Sequence, residues 1–212
     1  SFYLSPYEVT QGEWKKVMKV NPSEFNGTGY FPPFPGEQQD KRPVEMISWF
    51  QALEFCNAKS IEEGLIPVYL IEGSHNNRTA VKNVDADGYR LPSVIEWEYA
   101  ALSAGKDAFM YAGTNKTQGT LGLNAHAWFN DNADFATHET GLKLSNSLGF
   151  YDMSGNVFEW CEDEGSLEPS SRVWKGGCAV SGPGECRISY KGEYRPDTRN
   201  SFTGLRLARN AL

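Results

Sequence analysis

Histidine and cysteine are scarce in this chain of 212 residues, with three of the first and four of the second. His75, His126 and His138 are scattered without partners at metal-ligand spacing, so they read as surface or hydrogen-bonded side chains. Cys56, Cys161, Cys178 and Cys186 match no zinc pattern. Cys56 falls in a helical apolar pattern and reads as a buried free thiol. Cys178 and Cys186 are close enough in sequence to form a loop-tying disulfide, or they stand as two unrelated thiols. Positive charge is also short. Lys and Arg number 20 against 27 Asp and Glu, for a net charge of −7. With no basic stripe in view, nucleic acid is excluded as a partner. No apolar run approaches the length of a membrane span. No G-x-S-x-G, P-loop or dinucleotide fingerprint occurs. A linker is missing too, so a single domain over 1–212 is expected.

What is abundant is glycine, proline and aromatic residues: 21 Gly, 11 Pro, 6 Trp, 10 Tyr and 12 Phe. That mix predicts a loop-rich fold in which large rings hold irregular backbone down. Residues 1–9 read as a short strand. Thr10-Gln-Gly-Glu13 is a capping box, which predicts a helix from Gln11 to Met18. Residues 21–43 are Pro- and Gly-rich loop. Ser48 caps a second helix that carries Trp49, Leu53 and Cys56 on one face and ends before Gly64. Val68–Leu70 and Arg78–Val84 suggest a hairpin region. A second capping box, Ser93 to Glu96, starts a third helix from Val94 to about Ser103, ending at Gly105. The box also explains Glu96, which with Glu98 resembles a catalytic carboxylate pair. Past Gly105 no helical period recurs, only apolar bursts between turn signals. Two or three early helices followed by short antiparallel strands make an α+β fold. Glu162-Asp163-Glu164 reads as a solvated loop.

The last forty residues organise the rest. V-W-K-G-G at 173–177 and G-L-R-L-A-R at 204–209 bracket about twenty-five residues with no helical or strand period. Irregular segments of that length inside a domain are functional or disordered, and the patterned flanks argue against disorder. L-R-L-A-R alternates as a half-buried strand does. Arg187, Arg206 and Arg209 are expected to pair with carboxylates or backbone carbonyls, or to line the binding surface.

Several stretches in order along the chain resemble the formylglycine-generating, sulfatase-modifying-factor family: Y-E-V-T-Q-G-E-W, R-P-V-E-M-I-S-W, Y-R-L-P-S-V-I-E-W-E-Y-A-A, N-S-L-G-F-Y-D-M-S-G-N-V-F-E-W and G-L-R-L-A-R. The resemblance implies a C-type-lectin-like fold of that family's subtype. The family usually begins upstream of this Ser1, and S-F-Y-L-S-P-Y-E-V-T reads as the middle of a fold, so an N-terminally trimmed chain is expected. Oxidases of the family carry G-G-S, two residues, Cys, four residues, Cys, and the two thiolates hold copper(I). Counted from Gly177, the first cysteine position is Ser181 and the second is Cys186. A hydroxyl is a poor copper(I) ligand, so a non-enzyme is expected; the alternative is an oxidase with a rearranged Cys178–Cys186 pair.

The family also holds surface proteins whose C-terminal region is diversified by a retroelement and ends in a G-F-R-L-A-type strand. The resemblance assigns 173–209 here to such a region. Val180, Ser181, Gly182, Gly184, Tyr190, Gly192, Tyr194, Thr198, Ser201 and Phe202 are then the ligand-binding candidates, because those residue types fit the products of adenine mutagenesis. Tyr and Phe supply affinity while Ser and Gly adapt. The expected partner is a protein or other macromolecule, and the resemblance implies a lipoprotein on a bacterial outer surface. Asp152, Gly155, Val157 and Glu159 resemble a calcium loop of the family; alternatively Asp152 and Glu159 bond to the backbone of their own turn. No other cofactor is expected. The sugar-binding calcium signature of lectins is absent, since Glu168-Pro-Ser, Arg195-Pro-Asp and W-F-N-D at 128–131 do not match it.

Overall fold

A computed structural model describes residues 1–29, 31–74, 77–106, 110–114, 119–168 and 170–211, so His75 lies outside the described residues. Strand β1 (Phe2–Leu4) is followed by helix α1 (Gln11–Met18) and helix α2 (Trp49–Glu62). Thr10 and Ser48 cap these helices through their hydroxyls, Ser48 in a complete box with Gln51. Trp14 of α1 stacks on Phe55 of α2 at 4.8 Å. Strands β2 (Tyr69–Glu72) and β3 (Thr79–Lys82) form the expected hairpin. Strand β4 (Tyr89–Arg90) then leads into helix α3 (Val94–Ala101), which starts from the Ser93–Glu96 box and ends two residues earlier than its apolar pattern suggested.

The second half holds helix α4 (Gly119–His126) and strands β5 (Phe158–Glu164), β6 (Arg172–Lys175), β7 (Gly192–Tyr194), β8 (Thr203–Gly204) and β9 (Ala208–Asn210). Three sheets result, in the orders β1-β9-β4, β2-β3 and β7-β6-β5-β8. The ends of the chain meet in the first sheet, where Phe2 pairs with Asn210 and Leu4 with Ala208. The β5–β8 pairing is parallel, unlike the other strand pairs. A core of Trp49, Phe55, Trp160, Trp174 and Leu205 lies between α2 and the four-stranded sheet.

Three expectations are corrected. Helix α4 occupies sequence read as non-helical, because Gly119 and Gly122 lower its propensity and break the pattern. Leu123, buried beside Tyr111, Phe129 and Cys186, holds it by packing instead. Glu162-Asp163-Glu164 lies in β5 and is not a free loop. Glu162 accepts from the Tyr69 hydroxyl and Lys82, and Asp163 accepts from the Val94 N–H at the start of α3. In L-R-L-A-R the alternation does not track exposure. Leu205, Arg206 and Leu207 are all buried, and only Ala208 onward is strand.

The long 21–43 loop is irregular but fixed. The buried Glu45 carboxylate accepts from the Glu24 and Phe25 N–H groups at 3.1 and 3.0 Å. Burial pushes Glu45 up to about 7, against the opposing pull of those N–H groups. A carboxyl raised in the folded state adds stability that is complete below its unfolded value near 4.5 and is lost as pH rises through 7. Unfolding temperature should therefore fall between about pH 5 and 7.5, with a shallower slope in Glu45→Gln. Melting curves across that window check it, and an unchanged slope would assign the effect to other groups.

Candidate functional site

Strand β6 delivers Trp174 and Lys175 into the interior, then turns at Gly176 and Gly177, both at positive φ (98° and 77°). Gly177 is further constrained, since a side chain there would run into Cys186. From this turn the chain makes an irregular excursion to Phe202. Most of its anchors are bonds to main-chain atoms, joined by the Glu193 carboxylate, which accepts from the Ser166 and Leu167 N–H groups. The fully buried Lys175 ammonium donates to the carbonyls of Ile188 and Tyr190, both at 2.6 Å, and to Glu98 at 2.8 Å. Ser181 O accepts from Asn130 N–H, Pro196 O from Trp49 N–H, Asn200 O from Met46 N–H and Phe202 O from Phe158 N–H, at 2.8–3.1 Å. The Ser154 hydroxyl donates to Cys186 O at 2.9 Å. Apart from Glu193, these anchors lie outside the excursion, and none reads a side chain within it.

Rings rise from the core to the surface along this scaffold. Trp160 is buried and lies 5.4 Å from Trp174, which is 4% exposed. Trp174 stacks on Phe158 at 4.8 Å and meets Tyr194 at 4.1 Å, and Tyr194 is 47% exposed. Phe202 packs on Phe25 of the long loop at 5.2 Å. Trp174, Tyr190, Tyr194, Phe202, Val180 and Asn200 border a cleft of about 180 Å³ with Cys178 and Ser181 beneath them. Burial and then the Glu185 carboxylate push the Tyr190 phenol up, so it stays a neutral donor. The cleft offers aromatic faces, a phenol and an amide, which suit recognition by contact.

The ten candidate positions divide. Val180, Gly184 and Tyr194 are exposed, while Gly182, Tyr190, Thr198, Ser201 and Phe202 are half-buried. Ser181 is 2% exposed, and its hydroxyl accepts from Cys178 N–H at 3.1 Å. It belongs to the turn and not to the surface, a correction to its place among the ligand-binding candidates. Gly192 lies against the Trp174 indole, where any Cβ would overlap the ring. It is therefore a packing requirement. Asn200, Glu185 and Phe158 border the cleft although the sequence reading did not select them. Adjacency to Ser201 and Phe202 was a signal for Asn200, but Phe158 reads only as an apolar strand residue.

Cys178 and Cys186 are both free and buried, as are Cys56 and Cys161, so the unbridged alternative holds. Burial pushes the Cys178 and Cys186 thiols up, which disfavours thiolate. The calcium-loop positions do not fit a cation. Both Glu159 oxygens are bonded by Arg206, at 2.7–3.1 Å, and Oε2 also accepts from the Trp97 indole N–H at 2.7 Å. Val157 N–H donates to Glu8 at 3.2 Å, and Asp152 accepts from Gly141 N–H at 2.7 Å. The second Asp152 oxygen, Oδ1, has no hydrogen-bond partner among the described residues, and burial pushes that carboxyl up to about 6. Of the three arginines singled out, Arg206 and Arg209 pair with Glu159 and Asp87, while Arg187 is exposed.

Comparison with known proteins accords with this architecture. Residues 1–211 match the family described as sulfatase-modifying factor enzyme 1-like domain. The chaperone protein LppX of Paenibacillus barcinonensis is 36% identical over 240 residues, 99% of this chain and 80% of that protein. The structure of Treponema denticola variable protein 1 superposes with a TM-score of 0.86 at 33% identity, covering 98% of this chain and 84% of the other. The formylglycine-generating enzyme of Thermomonospora curvata is 29% identical over 162 residues, 59% of this chain and 50% of the enzyme. The shared fold is C-type-lectin-like, of the formylglycine-generating-enzyme type.

Gly192→Val should cost about 1–3 kcal/mol by overpacking, whereas Tyr194→Ala should cost less than about 1 kcal/mol. Urea unfolding of the two variants checks the order. The reverse order would make Tyr194 a core residue.

Proposed function

Because the chain belongs to the sulfatase-modifying factor enzyme 1-like family and resembles a variable protein along nearly its whole length, we propose that it is a ligand-binding surface protein whose 173–209 region is diversified by a retroelement. One observation carries this reading: the 178–202 excursion is held by its main chain and by the Glu193 carboxylate, while Val180, Gly184 and Tyr194 face outward. Such an arrangement tolerates replacement of the outward side chains, because the bonds that fix the backbone do not depend on them. Core substitutions typically cost a few kcal/mol, close to the whole stability of a domain. Diversity is therefore sustainable only where side chains leave the core.

Oxidase chemistry is less well supported. Ser181 occupies the position where the family's oxidases carry a thiolate, and its hydroxyl is spent on the Cys178 N–H. The ligand is a protein or another macromolecule, and display on a bacterial outer surface through a lipid anchor follows from the family resemblance. No cofactor enters this reading.

The genome tests the proposal. A near-copy of the DNA for residues 173–209, differing at adenines, should lie beside a reverse transcriptase gene. Sequenced variants should differ at Val180, Gly184, Tyr190 and Tyr194 and should spare Gly192 and Ser181. Lack of a template copy would overturn diversification. Copper(I) titration of the reduced protein should show no stoichiometric complex. Tight binding that Cys178→Ser and Cys186→Ser each abolish would restore the oxidase.

A further inference from the structure

Residues 187–199 carry a local excess of bases, although the chain as a whole is acidic. Between residues 187 and 199 four bases, Arg187, Lys191, Arg195 and Arg199, stand against two acids, Glu193 and Asp197, in a chain of net charge −7. All four bases are exposed. Lys191 pairs with Glu193 at 3.0 Å and Arg195 with Glu168 at 2.9 Å. Among the described residues, Arg187 and Arg199 have no ion-pair partner within 4 Å, so their charge is unspent.

Arg199 lines a second cleft, of about 500 Å³, with Arg78, Ser48, Ser74 and Asp197. Arg78 is held in place by Glu54 and lies 4.5 Å from the centroid of the Phe50 ring. Asn200 borders the aromatic cleft and Arg199 the charged one, so a single peptide bond joins the two. Asp197 and Glu54 in the charged cleft make it a poor seat for a dense polyanion such as a nucleic acid backbone. One carboxylate, bidentate on the free Arg199 fork, suits it better.

Strand β7 adds a further constraint on the ligand. It ends its sheet, with β6 on one side and no strand on the other among the described residues. Unpaired amides and carbonyls on such an edge are answered by an extended polypeptide. A glycan or a nucleic acid has no matching main chain.

We infer that this face binds an extended acidic polypeptide, which pairs with the free edge of β7, lays an apolar side chain over Tyr190 and Tyr194, and seats a carboxylate on Arg199. The inference rests on the binding role proposed above and names its ligand class. The test presents the whole chain, immobilised, with three probes: short random peptides mixing Asp and Glu with Tyr, Leu and Val; the same design with Lys and Arg replacing the acids; and single-stranded DNA of matched charge. Acidic peptides should be enriched, and their binding should weaken with added salt. Arg199→Ala and Tyr194→Ala should each weaken the selected peptide about tenfold or more. N-methylation at alternate backbone positions of that peptide should abolish binding if it pairs as a strand. Enrichment of neutral or basic peptides that depend on Tyr194 and not on Arg199 would overturn the acidic ligand and leave the binding role standing. DNA bound as tightly as peptide would overturn the polypeptide class. No enrichment from any probe would overturn the inference as a whole, and the template search reports separately on diversification.

Discussion

The buried ion pair between Arg206 and Glu159 is the joint on which the other parts converge. Both side chains are fully buried, with Nη2 and Oε1 2.7 Å apart. Arg206 also donates to Ser5 O at 3.1 Å and Tyr151 O at 2.8 Å, and the Trp97 indole donates to Glu159. One guanidinium thus ties the N-terminal strand, the 151 turn, β5, α3 and the C-terminal flank. Removing one partner of such a pair leaves an uncompensated charge and costs about 3–5 kcal/mol. Further acids crowd the same site. Burial, then the Asp152 and Glu159 charges, push Glu8 well up, and burial pushes Asp152 to about 6. Burial and the neighbouring acids favour the protonated form of Glu8, which eases the crowding of carboxylates around the single guanidinium.

With that flank immobile, the excursion between Lys175 and Phe202 is anchored at both ends and along its middle. The division is by atom type. Carbonyls and amides face the scaffold, while the exposed side chains face water. Trp174 is where the two regimes meet, buried on Trp160 and Phe158 and touched from outside by Tyr194. The same indole explains why a glycine follows at 192, and why residues inside one irregular segment are not equally free to change.

Much of this was legible in the residues alone. Capping residues Thr10, Ser48 and Ser93 placed three helices because side-chain oxygens answer the first free N–H groups of a helix, a local rule. The irregular course of residues 178–202 followed from the loss of periodicity between two patterned flanks. What stayed hidden is non-local. Helix α4 is held by the burial of Leu123, which no window across its two glycines reveals. Arg206 sits at a polar place in an alternating pattern, yet it is buried because Glu159, 47 residues away in the chain, supplies the countercharge. Ser181 and Gly192 share their residue types with other candidate positions, and only the contacts with Cys178 and Trp174 set them apart.

Lys175 has a consequence for engineering. Its ammonium recognises two carbonyl oxygens, which every amino acid possesses, so it is indifferent to what is grafted beyond them. A synthetic repertoire built on this frame has no need to preserve the native side chains at Tyr190 or Tyr194, but it keeps the length of the segment, the Ser181 hydroxyl, the Glu193 carboxylate and the glycine under the indole.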